Sequence, residues 1–119
     1  MRLPRSVAAA VTLLAACATH DRGTREHDSS ATLRNWTLCR CLARVSEGRF
    51  ADDATKSAAA YLEKGEASAD DYEKLDVLVT SYVARSYGGS VPGRYDTMKC
   101  IDLYESAELA AAVGKIAKR

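Results

Sequence analysis

Cys41 and Cys100 stand far apart in the chain, yet each falls on the apolar arc of a segment with helical spacing. In 38-LCRCLARV-45, Leu38, Cys41, Leu42 and Val45 repeat at the interval of one helix face. Successive helix positions turn by about 100°. Cys41 therefore points inward with the leucines, while Cys39 falls at the margin of that face. In 98-MKCIDLYES-106, Cys100, Ile101, Leu103 and Tyr104 share an arc with Cys100 near its centre. Two inward thiols on separate helices predict a Cys41–Cys100 disulfide, with Cys39–Cys100 as the rival pairing. The bond would close a loop of about 60 residues, worth about 4 kcal/mol on chain-entropy grounds. It restricts the chain to folds in which two helices distant in sequence lie side by side.

The rest of the pattern is helical too. The first helix begins near residue 31, and Gly48 reads as its stop signal. Phe50, Ala54, Ala58, Tyr61 and Leu62 form a second apolar face that ends near Gly65. Ser68 is placed as an N-cap, and Asp70 and Asp71 suit the positive end of a helix dipole. Tyr72, Leu75, Val79, Tyr82 and Val83 then mark a third helix, expected to reach about Tyr87, where 88-GGSVPG-93 breaks it. A fourth helix is expected over Tyr95–Tyr104 and a fifth from Ser106 to about Lys118. No segment alternates with β-branched residues, so the expected fold is all-α: a small, disulfide-stapled bundle of about five short helices.

The first residues have a different character. Arg2 and Arg5 precede 7-VAAAVTLLAA-16 and then Cys17. A basic start, an apolar run too short to span a bilayer and small residues at its end make a secretory signal. Leu14-Ala15-Ala16-Cys17 resembles a bacterial lipobox, in which Cys17 is lipidated and anchors the chain to a membrane. Ala18 after the cysteine fits outer-membrane sorting. Three parts are thus expected: residues 1–17 as lipoprotein signal and acylated cysteine, 18–30 as a disordered polar tether, and 31–119 as the folded domain. Removing residues 1–16 takes away two arginines and no acid. This leaves 15 basic against 16 acidic residues, and no basic stripe to suit nucleic acid. An exported location, the periplasm, also permits a disulfide.

Few residues offer chemistry. Cys39 and Cys41 diverge by about 200° on a helix, whereas zinc needs four convergent ligands, so no metal is expected. A redox pair would take the form Cys-x-x-Cys at a helix N-terminus, which is absent here. His20 and His27 both lie in the tether, away from any nucleophile they could serve as a base. Asp52, Asp53, Glu63, Glu66, Asp70, Asp71, Glu73 and Asp76 read as a solvated acidic face; a small hydrolase built on Asp70 or Asp71 is the catalytic alternative. No catalytic residue and no cofactor are assigned. The most suggestive stretch is the Gly-rich break, framed by Tyr87, Tyr95, Arg85 and Arg94, because tyrosine and arginine are enriched at interface hot spots.

Two strings carry a family resemblance: 79-VTSYVARSY-87 and 94-RYDTMKCIDLYESAEL-109, with 41-CLA-43 upstream. In the first, Tyr82, Arg85 and Tyr87 match a Tyr-x-x-Arg-x-Tyr pattern. In the second the match runs through Lys99, Cys100, Ile101, Asp102, Leu103, Tyr104, Ser106, Glu108 and Leu109. They resemble the type VI secretion system amidase immunity proteins of the fourth amidase–immunity family. The resemblance implies a small helical, non-enzymatic periplasmic protein, often a homodimer. Such a protein blocks a papain-like cysteine amidase that cleaves peptidoglycan cross-links, occluding its cleft with a loop and a neighbouring helix. On that reading the partner-binding residues here are Arg85, Tyr87, Gly88, Gly89, Ser90, Val91 and Arg94. The reading from another class is a periplasmic structural or adaptor lipoprotein without a toxin partner.

Overall fold

A computed structural model describes residues 14–119, with side chains described from residue 22. Residues 1–13 of the expected signal segment and the thiol of Cys17 lie outside the described residues. Five helices follow in order: α1 (Leu14–Val45), α2 (Gly48–Lys64), α3 (Ala69–Val83), α4 (Asp96–Glu105) and α5 (Ala107–Ala117). Helix α1 packs against all the others. Among the described residues the backbone of α2 runs close to α1 alone, whereas those of α3, α4 and α5 also approach one another.

Helix α1 starts well before residue 31. It continues back through residues 18–30, the stretch expected to be a disordered tether. As helix those 13 residues span about 20 Å, against about 45 Å fully extended. Most side chains over 22–28 are exposed, so this part of the helix carries no apolar stripe by which a sequence reading could find it. Packing begins at Leu33, and Leu33, Trp36, Thr37 and Cys41 form the buried line of α1. Leu38, Leu42 and Val45 are only partly buried and flank that line. Because α1 is covered on two flanks, its inward arc is wider than one stripe, and the leucines mark its edge. The Thr37 hydroxyl is satisfied internally, donating to the Leu33 carbonyl at 2.8 Å.

Gly48 opens α2 and does not close α1; its φ of +61° is the left-handed turn that separates the two helices. Helix α2 lies on α1 through Ala54 and Ala58. Small residues at the contact let the two backbones approach, and the larger side chains are left outside. Phe50 and Leu62, expected on the inner face, are 59% and 46% exposed. Helix α3 contributes Tyr72, Leu75, Val79 and Tyr82 to the core, and the Trp36 and Tyr72 rings meet edge-on at 4.8 Å. Helices α4 and α5 add Cys100, Leu103, Leu109, Val113 and Ile116. Ile101, expected on the inner arc of α4, is 49% exposed and points outward.

Ser68 caps α3 as expected. Its hydroxyl accepts from the Asp71 N–H at 3.2 Å, and the Asp71 carboxylate accepts from the Ser68 N–H and hydroxyl. Arg119 lies 3.1 Å from the same carboxylate. The Ser68 hydroxyl holds the Asp71 carboxyl below its usual value against the opposing effect of burial. The Ser68 N–H, Arg119 and Lys74 add to the lowering. Helix α3 stops at Val83, short of the Tyr87 expected from sequence: Ala84 makes the last four-residue bond, to the Thr80 carbonyl, and the Arg85 N–H then turns back three residues to the Tyr82 carbonyl.

Cys41 and Cys100 are bonded, with their Cα atoms 5.6 Å apart. Cys39 is the free thiol among the described residues. Burial, with Asp53 nearby, pushes its pKa up.

Two outcomes are expected. Replacing Cys41 and Cys100 together by serine should lower unfolding free energy by up to about 4 kcal/mol in urea titrations, while Cys39→Ser leaves the midpoint unchanged. A depressed carboxyl stabilises the fold above its unfolded pKa of about 4 and loses that contribution as pH falls through the lower folded value. Thermal melts across pH 2–6 should therefore show a steeper acid decline in the native chain than in Asp71→Asn.

Candidate partner-binding site

Residues 84–95 join α3 to α4 without regular structure. No backbone-to-backbone hydrogen bond links two residues of 86–94, so side chains must hold the connection. Four sets of contacts do so. The Arg85 guanidinium lies 3.5 Å from the Tyr82 ring centre and 3.7 Å from the Glu108 carboxylate of α5. The Tyr87 hydroxyl donates to Asp102 of α4 at 2.6 Å. That bond, reinforced by burial and opposed by Arg85, raises the Tyr87 phenol pKa. Arg94 pairs with Asp96 at 3.1 Å. The Tyr95 hydroxyl donates to the Val91 carbonyl.

Lys99 is the root of the connection. It is 5% exposed, and its ammonium donates to Asp96 at 3.0 Å and to the Val83 carbonyl at 3.3 Å. One buried cation thus closes the C-terminus of α3 and the N-terminus of α4, the two ends between which the loop is strung. Lys99 is next to Cys100, so the disulfide fixes the turn of α4 from which the ammonium reaches out.

Every residue expected from sequence to contact a partner lies in this connection. Arg85, Gly88, Gly89, Ser90, Val91 and Arg94 are exposed or nearly so, and Tyr87 is tied to Asp102. Val91 is 70% exposed, and Met98 and Ile101, one turn apart on the outer face of α4, are about half exposed. The surface is therefore an apolar tip flanked by arginines and tyrosine, a composition suited to protein contact.

Two concavities lie away from this loop. One of about 930 Å³ is polar and sits between the first half of α1, the turn at residues 66–68 and the end of α5. Another of about 500 Å³ runs between α2 and α3 over Trp36, Ala58 and Tyr72. Among the described residues no group of three or more His, Cys, Asp or Glu could hold a metal, and no helix is long and apolar enough to cross a membrane.

Spacing alone does not single out Lys99, Asp96 or Asp102 as site residues. A signal exists for Lys99, which stands four positions before Leu103 on the inner face of α4. Tyr95 reads from sequence only as a frame residue. Its role depends on a backbone with φ +59°, which spacing does not encode.

A short loop strung between two helices, held by side-chain contacts and exposing arginine and apolar side chains, has the composition of a protein-contact surface. The chain belongs to the Tai4 family of type VI secretion system amidase immunity proteins, whose model matches residues 31–113. Comparison with curated proteins finds no match. Among solved structures, the chain is similar to the Tae4/Tai4 effector–immunity system of Salmonella typhimurium. There the identity is 37%, with a TM-score of 0.67, over 76% of this chain and 87% of that one. The Tae4–Tai4 complex of Enterobacter cloacae is 29% identical, with a TM-score of 0.64, over 71% and 88% of the two chains. A structure from Serratia marcescens, from a set of new type VI-secreted toxins and self-resistance proteins, is 28% identical, with a TM-score of 0.69, over 74% and 73%.

Replacing the buried cation should damage the root of the loop. Lys99→Met leaves the Val83 carbonyl without its donor and is expected to cost about 2 kcal/mol, measured as a loss of unfolding free energy in urea.

Proposed function

We propose that this protein confers immunity by binding a cognate peptidoglycan amidase effector of a type VI secretion system and occluding its active-site cleft. The observation that carries the reading is the family match over residues 31–113, in a chain whose α3–α4 connection is exposed and built from contact-type residues. Complexes of Tae4 with Tai4 among the similar structures support an amidase as the partner. The contact residues are Arg85, Tyr87, Gly88, Gly89, Ser90, Val91 and Arg94. The protein itself turns nothing over; its effect is steric.

The same reading puts the chain in the periplasm, where an effector that attacks the cell wall would meet it. Export would follow from the segment ending at Cys17, and acylation there would hold the inhibitor at a membrane beside the wall. Pairing of two copies is part of the proposal and follows from the resemblance to the family.

Toxicity rescue is the test. Co-expression of the full chain should protect cells from the periplasmic amidase encoded beside it. Joint replacement of Arg85, Tyr87 and Val91 by alanine should weaken inhibition of the purified amidase at least about tenfold, the loss of one or more interface hot spots. Absence of protection by the native chain would sink the reading.

A further inference from the structure

We infer that Tyr95 is the positioning residue of the inhibitory loop and that Val91 is the side chain it presents to the amidase cleft. This rests on the reading of residues 85–94 as the amidase contact. Tyr95 has φ +59° and ψ +33°, and it is the non-glycine residue with positive φ among those described. The left-handed region is unfavourable for an aromatic residue, and such outliers persist where surrounding structure over-determines them. As the N-cap of α4, Tyr95 makes no side-chain capping bond, so its side chain is not retained for the helix.

The side chain turns instead into the loop that precedes it. Its hydroxyl donates to the Val91 carbonyl. Gly89 has no Cβ, and that absence makes room for the phenol: a methyl there would run into the hydroxyl and stand 3.1 Å from Cζ. Gly93 borders the ring from the other side, where an added methyl would lie 3.8 Å from Cε2. Residues 89–93 therefore wrap around one phenol, in a segment that lacks backbone hydrogen bonds of its own.

This anchoring orders the tip. Val91 is held by its carbonyl, and Pro92 after it disfavours helical backbone at Val91. The residue is left 70% exposed. An apolar side chain so exposed, on a main chain so anchored, is ordered in advance of contact. A partner then binds without first selecting one loop conformation from many, and apparent affinity is not reduced by the fraction of competent conformers. The strained Tyr95 backbone is retained because the phenol must approach from that direction.

The test uses the full-length protein, its purified amidase and thermal melting. Tyr95→Phe removes the hydroxyl and keeps the ring. Tyr95→Asn removes the ring and tolerates the left-handed backbone. Both are expected to weaken inhibition about tenfold while the melting temperature holds or rises, a split that a merely structural residue would not produce. Val91→Ser should weaken inhibition similarly, and Y95F combined with V91S should be no weaker than V91S alone. Native-like inhibition by Y95F overturns the inference, as does a parallel fall in melting temperature or additive losses in the double variant. If V91S and the Arg85 and Tyr87 variants all inhibit like the native chain, the loop is not the contact and the underlying reading fails instead.

Discussion

The covalent bond between Cys41 and Cys100 joins the longest helix to the shortest, and the site is assembled around that junction. Helix α4 has ten residues, too few to be stable alone in water. It gains its place from the bond to α1, from Leu103 in the core and from α3 and α5 beside it. Once α4 is fixed, Lys99 reaches the end of α3, Asp102 receives Tyr87, and Asp96 receives Arg94 and Lys99. The loop is therefore positioned from α4 more than from α3. A change in α4 would be felt at the loop before it was felt elsewhere.

Two kinds of interaction divide the work. Apolar burial around Leu33, Trp36, Leu75, Leu103 and Leu109 supplies most of the stability. Polar contacts at the loop supply shape. The ion pairs there are mostly exposed and contribute little energy singly; the buried ammonium of Lys99 is the exception. A bundle arranged in this way can vary its loop residues, and so its partner, without repacking its core.

Much of the architecture is legible in the residues. The helical periods of α3 and α5, the Ser68 cap and the Gly-rich break follow from local rules, and the Cys41–Cys100 pairing follows from which arc each thiol occupies. The misplacements have physical causes. Leu38 and Leu42 read as the centre of α1 because apolar spacing cannot tell a helix covered on one flank from one covered on two. Phe50, Leu62 and Ile101 read as internal because an apolar side chain at helical spacing looks the same whether or not a neighbour covers it.

The sequence by itself determined that the chain is helical, that two distant helices are bonded, and that Arg85, Tyr87 and Val91 lie in one connection between helices. These depend on the character and spacing of residues near one another in the chain. Only the tertiary structure decided that Lys99 joins the loop's two ends, that Tyr87 meets Asp102, and that Tyr95 turns back on Val91. Those contacts depend on where α3 and α4 come to rest and on one left-handed backbone angle, and neither is encoded in a periodic pattern.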